Sequence, residues 1–115
     1  MRFPEGLDIN GASAAIEKAV ASWDGVTSHP HRFGGKEYRL GARELGHVHG
    51  DSLVDIPFPM RIRNQLISEG IVQKHHVMPE SGWVSFYIRK GADIEKAIGL
   101  FRMSYDAAVA QKGGV

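Results

Sequence analysis

The sequence predicts one α+β domain, a two-layer structure in which an antiparallel sheet carries three helices packed on one face. Apolar residues recur at helical spacing in three separate segments, and the segments between them are short, rich in β-forming residues and broken by Gly, Pro and Asp. No repeat, low-complexity tract or linker interrupts the order helix, strands, helix, strands, helix. With 115 residues and 43% apolar side chains, the chain can bury one core, so we assign a single domain to residues 1–115.

The first half of the chain predicts one helix followed by three or four strands. Residues 11–23 repeat apolar side chains at helical spacing, and Asn10 is placed to accept the first free amide protons as the N-cap. Residues 26–58 form short β-rich segments, and we expect tight turns at Gly34-Gly35 and Gly50-Asp51. The apolar stripe of the helix comprises Ala12, Ile16, Ala19, Val20 and Trp23.

The second half predicts a short helix, a hairpin and a long helix. The short helix covers residues 59–69, begins with a proline and stops before a glycine. The hairpin has strands at residues 71–78 and 83–89 around a loop at residues 79–82. The long helix carries a continuous apolar stripe and ends at Gly113-Gly114. That stripe comprises Ile94, Ala97, Ile98, Phe101, Tyr105 and Ala108.

Composition sets limits on partners and compartment. The formal net charge is +1 and charged residues make up 23% of the chain, so no overall field favours nucleic acid or an anionic membrane. No apolar run approaches the roughly 20 residues of a membrane span, and residues 1–10 lack the apolar stretch of a signal peptide. We therefore expect a cytoplasmic protein that does not bind a membrane, and the charge disfavours nucleic acid as a partner.

Several reaction classes lack their usual motifs. The chain has no cysteine, which excludes thiolate nucleophiles, thiolate metal ligands and disulfides. Neither Ser52 nor Ser81 lies in a Gly-x-Ser-x-Gly elbow, and no phosphate-binding glycine loop or dinucleotide fingerprint occurs. Any bound metal must be held by His, Asp or Glu.

The strongest candidate site is the segment from Gly41 to Asp51, which places two imidazoles one residue apart. If the segment is a strand, its side-chain period of two puts His47 and His49 on the same face. Two titratable nitrogen ligands on one rigid surface suit metal binding or proton transfer. We therefore expect the site of this domain on that face of the sheet.

The turn that follows the pair sets which residues lie opposite it. A two-residue turn at Gly50-Asp51 places Ser52 opposite His49 and Val54 opposite His47. Asp55 then points to the other face of the sheet. A shift of one residue would exchange the two faces.

A metal at this pair needs further ligands. Three His ligands and an open position make a catalytic zinc site, so His47 and His49 are candidate ligands of a divalent metal. The alternative is that the two rings only hydrogen-bond within the sheet face. The sequence offers six candidates for a third ligand: His29, His31, Asp51, His75, His76 and Glu80.

The predicted hairpin supplies further candidate ligand-binding residues. His75 and His76 are adjacent, so in a strand their rings face opposite ways and at most one of them can serve the site. The hairpin can bring Trp83 and Glu80 near that ring, although a loop built only for turning explains the same residues.

Two arginines in the strand-rich half are candidates for holding an anionic group. Arg32 and Arg43 could grip a carboxylate or a phosphate. The alternative is that both belong to a solvated face of the sheet.

Four longer motifs lie at residues 31–35 (His-Arg-Phe-Gly-Gly), 43–51 (Arg-Glu-Leu-Gly-His-Val-His-Gly-Asp), 54–59 (Val-Asp-Ile-Pro-Phe-Pro) and 75–85 (His-His-Val-Met-Pro-Glu-Ser-Gly-Trp-Val-Ser). Together they resemble the luciferase domain family, a group of small bacterial and fungal domains. The resemblance runs from about Trp23 to Tyr105. It implies no reaction, cofactor or catalytic residue, because the family's name is an inherited label, but its motifs coincide with the histidine site.

A fainter likeness is to the YjbR-like α+β proteins, whose fold is associated with DNA binding. It rests on a strand that contains Trp83, followed by a helix that ends in Ser104-Tyr105. The residues that could contact phosphates are scattered: Arg61, Arg63, Lys74, Arg89 and Lys90.

The sequence leaves three functions open. The first is a domain that binds a small molecule or a metal through a histidine-lined pocket on the sheet. The second is an oxygenase or luciferase-type enzyme that uses a histidine as base, and the third is a YjbR-like module that binds nucleic acid or protein. Substrate, metal identity and oligomeric state do not follow from the sequence.

Overall fold

The helices and strands occur in the predicted order in a computed structural model that describes residues 9–113. The α+β fold is confirmed, and four strands fill the region in which three or four are predicted. The signal-peptide expectation for residues 1–8 and the helix end at Gly114 lie outside the described residues. The elements are α1 (Ala12–Val20), β1 (Val26–His31), a 3₁₀ turn (Arg32–Gly34), β2 (Gly35–Leu40), β3 (Arg43–His49), β4 (Leu53–Pro57), α2 (Met60–Ser68), β5 (Gln73–Lys74), β6 (Trp83–Tyr87) and α3 (Ala92–Gly113).

The six strands form one antiparallel sheet in the order β1-β2-β3-β4-β6-β5. Strand β5 has only two residues, so the predicted strand over residues 71–78 is much too long. Among the described residues, no helix combines the length and apolar character that a membrane span requires.

The helices cover one face of this sheet. Tyr38 and Gly46 pair across β2 and β3, and the rings of Tyr38 and Phe101 from α3 meet edge to face at 5.7 Å. All three helices contribute buried apolar side chains to one core, including Ile16, Leu66 and Phe101. Burial of this apolar area is the main favourable term for the fold.

The opposite face, which we call the outer face, carries a polar row. The strand register aligns one residue from each strand at the same level, so their side chains share a face. The residues of this row, in sheet order, are His29, Glu37, His47, Asp55, Ser85 and Gln73. Two of them, Asp55 and Ser85, are fully buried.

The turn between β3 and β4 differs from the predicted one. It spans residues 50–52 and has three residues instead of two. His47 therefore pairs with Asp55, so the predicted register, which paired His47 with Val54 and turned Asp55 to the other face, is wrong. The one-residue shift brings the carboxylate onto the face of the imidazoles.

This turn also supports the first helix. The N-cap position of α1 is Gly11, one residue after the predicted Asn10. The carboxylate of Asp51 accepts a hydrogen bond from the backbone N–H of Ser13 at 2.8 Å. Asp51, one of the candidate metal ligands, therefore satisfies a free amide at a helix N-terminus instead.

A β-bulge interrupts the pairing of β2 with β3. Tyr38 pairs with Gly46 and Arg39 with Glu44, which leaves Leu45 as the extra residue. The Ser104 hydroxyl of α3 donates a hydrogen bond to the Leu45 carbonyl at 2.9 Å. The bulge is therefore fixed to the helix layer.

Gly46 is required at this bulge for two reasons, which a substitution can test. Its φ is +147°, and a Cβ there would lie 2.7 Å from Phe101 Cε1 and 2.9 Å from the Asp55 carbonyl oxygen. We expect Gly46→Ala to lower the free energy of unfolding by about 3 kcal/mol or more, since it adds overpacking to backbone strain. Urea denaturation measures this.

Gly50→Ala is the matched control. Gly50 also has a positive φ, +58°, but a Cβ there meets nothing within 4 Å. Its expected cost is only the backbone strain, about 1 kcal/mol. Equal losses in the two variants would show that the close approach at Gly46 does not matter.

Candidate functional site

The centre of the candidate site is the carboxylate of Asp55. Its Oδ1 accepts a hydrogen bond from the Ser85 hydroxyl at 2.8 Å, and its side chain is 1% exposed. Four imidazole Nε2 atoms surround its Oδ2. The distances are 3.0 Å for His49, 3.0 Å for His76, 3.2 Å for His47 and 3.4 Å for His75.

The four rings come from two segments. His47 and His49 share the outer face of β3, as the sequence predicts. His75 and His76 follow the last residue of β5 and are not in a strand. Their rings stack at 4.4 Å and both face Asp55, so the prediction that the two rings face opposite ways is wrong.

The segment that carries His75 and His76, residues 75–82, is anchored to α2. The guanidinium of Arg63, only 7% exposed, donates a hydrogen bond from Nη2 to the Pro79 carbonyl. The Phe58 N–H donates to the Gly82 carbonyl at 3.0 Å, and a Cβ on Gly82 would lie 2.4 Å from the Phe58 oxygen. These contacts hold both rings over the sheet.

Two further carboxylates contact Nδ1 atoms of rings at the site. Glu44 lies 2.7 Å from Nδ1 of His47, and Glu37 lies 2.9 Å from Nδ1 of His31. Residues 44 and 47 would face opposite ways in a regular strand, and the bulge brings them to the same face. The rings of His31 and His47 stack at 4.0 Å.

These contacts fix the proton positions on two rings. The carboxylate of Glu44 can only accept, so Nδ1 of His47 carries a proton and donates it. His75 has the opposite arrangement, because its Nδ1 accepts the backbone N–H groups of Val77 and Met78 at 3.1 and 3.0 Å. Nε2 of His75 therefore carries the proton and faces Asp55 Oδ2 at 3.4 Å.

Electrostatics separate the charged members of the cluster from the neutral ones. Burial raises the pKa of Asp55, but its hydrogen bonds with His47, His76 and Ser85 outweigh burial and hold the pKa well below the usual range. Burial lowers the pKa of His47, but the hydrogen bonds and charges of Asp55 and Glu44 outweigh burial and raise it to about 9. In the absence of metal, Asp55 and His47 form an ion pair at neutral pH.

Two other rings are neutral at the same pH. Burial lowers the pKa of His49, and the charge of His47 lowers it further, against the opposing effect of Asp55. Burial is also the largest cause of the lowered pKa of His75. A neutral His49, whose side chain is 30% exposed, can act as a metal ligand or as a proton acceptor.

The structure brings some of the predicted candidates together and leaves others apart. The Trp83 ring lies 5.1 Å from His47 and 6.2 Å from His75 between centroids. Arg32 is exposed in the 3₁₀ turn, and Arg43 hydrogen-bonds to Gln111 of α3. Glu80 is 82% exposed and faces Lys74 at 3.8 Å.

Sequence reasoning missed the carboxylates and the hydroxyl of the site. The predicted turn register places Asp55 on the wrong face, although a lone acidic residue between Val54 and Ile56 in a central strand is itself unusual. No sequence signal points to Glu37 or Ser85, because cross-strand pairing alone brings them to the site.

The comparison with known families identifies the family of this chain. The family model for the Luciferase domain matches residues 42–104, which are 63 of the 115 residues. The chain belongs to the luciferase domain family. The matched region contains Asp55 and the four rings around it, whereas His31 and Glu37 lie outside it. Searches of curated proteins and of solved structures found no match for this luciferase domain.

The raised pKa of His47 predicts a pH dependence of stability in chelator-treated protein. A folded-state pKa of about 9, above the ordinary 6.5, contributes stability that is fully present below pH 6.5 and is lost as pH rises through about 9. We expect a loss on the order of 3 kcal/mol between pH 6.5 and pH 10, measured by urea denaturation.

Glu44→Gln is the companion variant for this measurement. It removes one of the two carboxylates that hold the proton on His47 and keeps the side-chain shape. Its loss of stability over the same interval should be smaller. An identical profile in both proteins would contradict the assigned cause.

Proposed function

We propose that this luciferase domain binds a divalent transition metal ion, with Nε2 of His47, His49 and His76 and Oδ2 of Asp55 as its ligands. The observation that supports the proposal is the convergence of four imidazole nitrogens on one buried carboxylate oxygen, at 3.0 to 3.4 Å. The proposal specifies the metal alternative of the histidine-lined site that the sequence predicts.

Hydrogen bonding alone does not account for this convergence. A carboxylate oxygen offers about two lone-pair directions. The protonated His47 donates from Nε2 and takes one of these directions. His49 and His76 both lie 3.0 Å from the same oxygen, and the Nε2 proton of His75 faces it at 3.4 Å, so more rings converge on the oxygen than it has lone pairs to offer. A cation between these atoms removes the conflict, because each ring then directs a lone pair at the metal.

The distance of each proposed nitrogen ligand from Asp55 Oδ2 also matches the distance between neighbouring ligands of a metal. Metal bonds to imidazole nitrogen and carboxylate oxygen are about 2.0–2.2 Å long. Ligand atoms at that radius are separated by roughly 3.0–3.5 Å in octahedral and tetrahedral arrangements. The distances of His47, His49 and His76 from Asp55 Oδ2 are 3.2, 3.0 and 3.0 Å.

The residues that hydrogen-bond to the proposed ligands are of the kind that a metal site requires. Metal-bound histidines usually donate their other ring N–H to a carboxylate or a carbonyl, which fixes the ring and raises its basicity. Glu44 provides this for His47, and Ser85 holds the remaining oxygen of Asp55. His75, whose Nδ1 accepts two backbone N–H groups and whose Nε2 proton faces Asp55, is not a ligand in this arrangement.

The donor set indicates the class of metal. Three nitrogens and one oxygen without a thiolate suit Zn²⁺, Fe²⁺, Mn²⁺, Ni²⁺ or Cu²⁺ better than Ca²⁺ or Mg²⁺, which prefer oxygen ligands. Coordination geometry and the availability of each metal in the cell decide among the transition metals, so we propose the class and not one metal.

An oxygenase is a second candidate function that one observation favours. Ligand atoms of His49, Asp55 and His76 lie within 4.8 Å of one another, and two histidines with one carboxylate hold iron in many non-haem Fe²⁺ oxygenases. The test is dioxygen uptake by the Fe²⁺-loaded protein over a panel of oxidisable small molecules. Uptake that is equal in the wild type and in His76→Ala with the same iron content would remove this candidate.

The metal proposal predicts a defined binding isotherm. Chelator-treated protein should bind one equivalent of Zn²⁺ or Co²⁺ in isothermal titration calorimetry. We expect His49→Ala and His76→Ala to weaken binding by about 100-fold or more, and Glu44→Gln by 10- to 100-fold, as is usual for the outer contacts of a metal site.

His29→Ala is the matched control. His29 belongs to the same polar row of the sheet, but its ring bonds to the Thr27 hydroxyl at 2.8 Å. Its removal should leave the Kd unchanged. Wild-type protein that binds neither metal, or a His29 variant that is impaired as much as His76→Ala, would contradict the proposal.

A further inference from the structure

Other side chains close two sides of the proposed metal site. Toward β1 and β2, the ring of His31 stacks on that of His47 at 4.0 Å between centroids, and Glu44 contacts the same ring at 2.7 Å. Along the strands, the ring of Trp83 lies 5.1 Å from that of His47 and 6.2 Å from that of His75. A molecule from outside the chain cannot approach the site from either of these sides.

The two most exposed of the proposed ligands indicate the open side. The side chains of His49 and His76 are 30% and 38% exposed, whereas those of Asp55 and His47 are 1% and 11% exposed. The rings of His49 and His76 lie 6.1 Å apart between centroids. Because Trp83 contacts the other two rings, the opening lies on the side of the site away from Trp83.

The strand register identifies the residues on that side. The outer-face residues of β6 are Trp83, Ser85 and Tyr87, so Tyr87 and Trp83 lie on opposite sides of Ser85. Leu53 of β4 pairs with His49 on one side and with Tyr87 on the other, and directly paired residues project from the same face of a sheet. Leu53 and Tyr87, both half-buried, therefore border the opening.

An arginine without a carboxylate partner lies against the ring of Tyr87. The guanidinium carbon of Arg89 is 5.2 Å from the centroid of that ring, and Arg89 is exposed. Among residues 9–113, no carboxylate forms an ion pair with this guanidinium. A guanidinium presents a planar fork of N–H donors that matches a carboxylate, and its single positive charge balances one carboxylate. The donors of Arg89 are therefore available to a carboxylate from outside the chain.

The register also sets the size of a molecule that reaches from the metal to Arg89. Asp55 pairs with Ser85, and Tyr87 lies two residues further along β6. With strands about 4.8 Å apart and a rise of about 3.4 Å per residue, the Cα atoms of Asp55 and Tyr87 lie roughly 8 Å apart. A molecule that extends from the metal across Leu53 and Tyr87 to the guanidinium of Arg89 is therefore roughly 10 Å long.

We infer that the site binds a small organic carboxylate whose other end occupies the open position at the metal between His49 and His76. The body of the molecule lies on Leu53 and Tyr87, and its carboxylate pairs with Arg89. The inference rests on the proposed metal binding and adds the chemical class of the ligand.

Two hydroxamates of equal chain length test the inference, because a hydroxamate binds transition metals through its two oxygens. Octanohydroxamate ends in a methyl group, whereas the monohydroxamate of octanedioic acid ends in a carboxylate. Titration calorimetry on Zn²⁺-loaded protein should give the carboxylate compound a Kd about three- to ten-fold lower, as expected for a partly exposed pair of arginine and carboxylate. High salt should reduce this difference. Elemental analysis after each titration checks that the metal stays bound.

Three variants assign the difference to particular residues. Arg89→Gln should abolish the difference between the two compounds and leave the Kd of octanohydroxamate unchanged. Lys90→Gln is the matched control, because Lys90 is the next residue, is also exposed and carries the same charge, and it should keep the difference. Leu53→Ala should weaken both compounds by a similar factor, whereas the Kd of Zn²⁺ and that of acetohydroxamate, which lacks the chain, should stay the same.

The opposite results overturn the inference in recognisable ways. Equal Kd values for the two long compounds in the wild type would exclude a carboxylate subsite. A difference that persists in Arg89→Gln, or that disappears equally in Lys90→Gln, would exclude Arg89 as its cause. An acetohydroxamate Kd as low as that of octanohydroxamate would exclude the contact with Leu53 and Tyr87. Failure of all three hydroxamates to bind Zn²⁺-loaded protein would exclude the open position but leave the metal proposal standing, whereas failure of Zn²⁺ itself to bind would overturn both.

Discussion

The buried carboxylate of Asp55 is the constraint on which the site depends. An ionised carboxylate in a central strand, removed from water, costs several kcal/mol unless donors or cations surround it. Ser85 from β6 and rings from β3 and from residues 75–82 meet this requirement. Asp55 therefore joins β3, β6 and the segment that precedes β6, and a substitution of Asp55 affects the contacts of all three.

The fold prepares this arrangement through the backbone more than through side-chain size. The bulge at Leu45 allows Glu44 to hold His47 from behind, and Gly46 makes the bulge compatible with the packing of Phe101. The early end of β5 turns two adjacent rings toward one atom, which a continued strand forbids. Irregular backbone thus occurs where it positions side chains of the candidate site.

The sequence predicts the layers, the order of elements and the shared face of His47 and His49, because those follow from periodicities of 3.6 and 2 residues. It does not predict Asp55 as the centre, since the register depends on one residue in the turn at 50–52. It also places His75 and His76 wrongly, because β5 is too short to impose strand geometry on them. Tertiary contacts, such as the one between Arg63 and Pro79, fix that segment.

Anomalous diffraction from crystals of the metal-loaded protein tests the central claim most directly. The account predicts one strong peak at the metal absorption edge, about 2.0–2.2 Å from Oδ2 of Asp55 and from Nε2 of His47, His49 and His76. The contradicting result is a density map without such a peak, in which two rings donate to the Asp55 carboxylate and the other two have turned away from it.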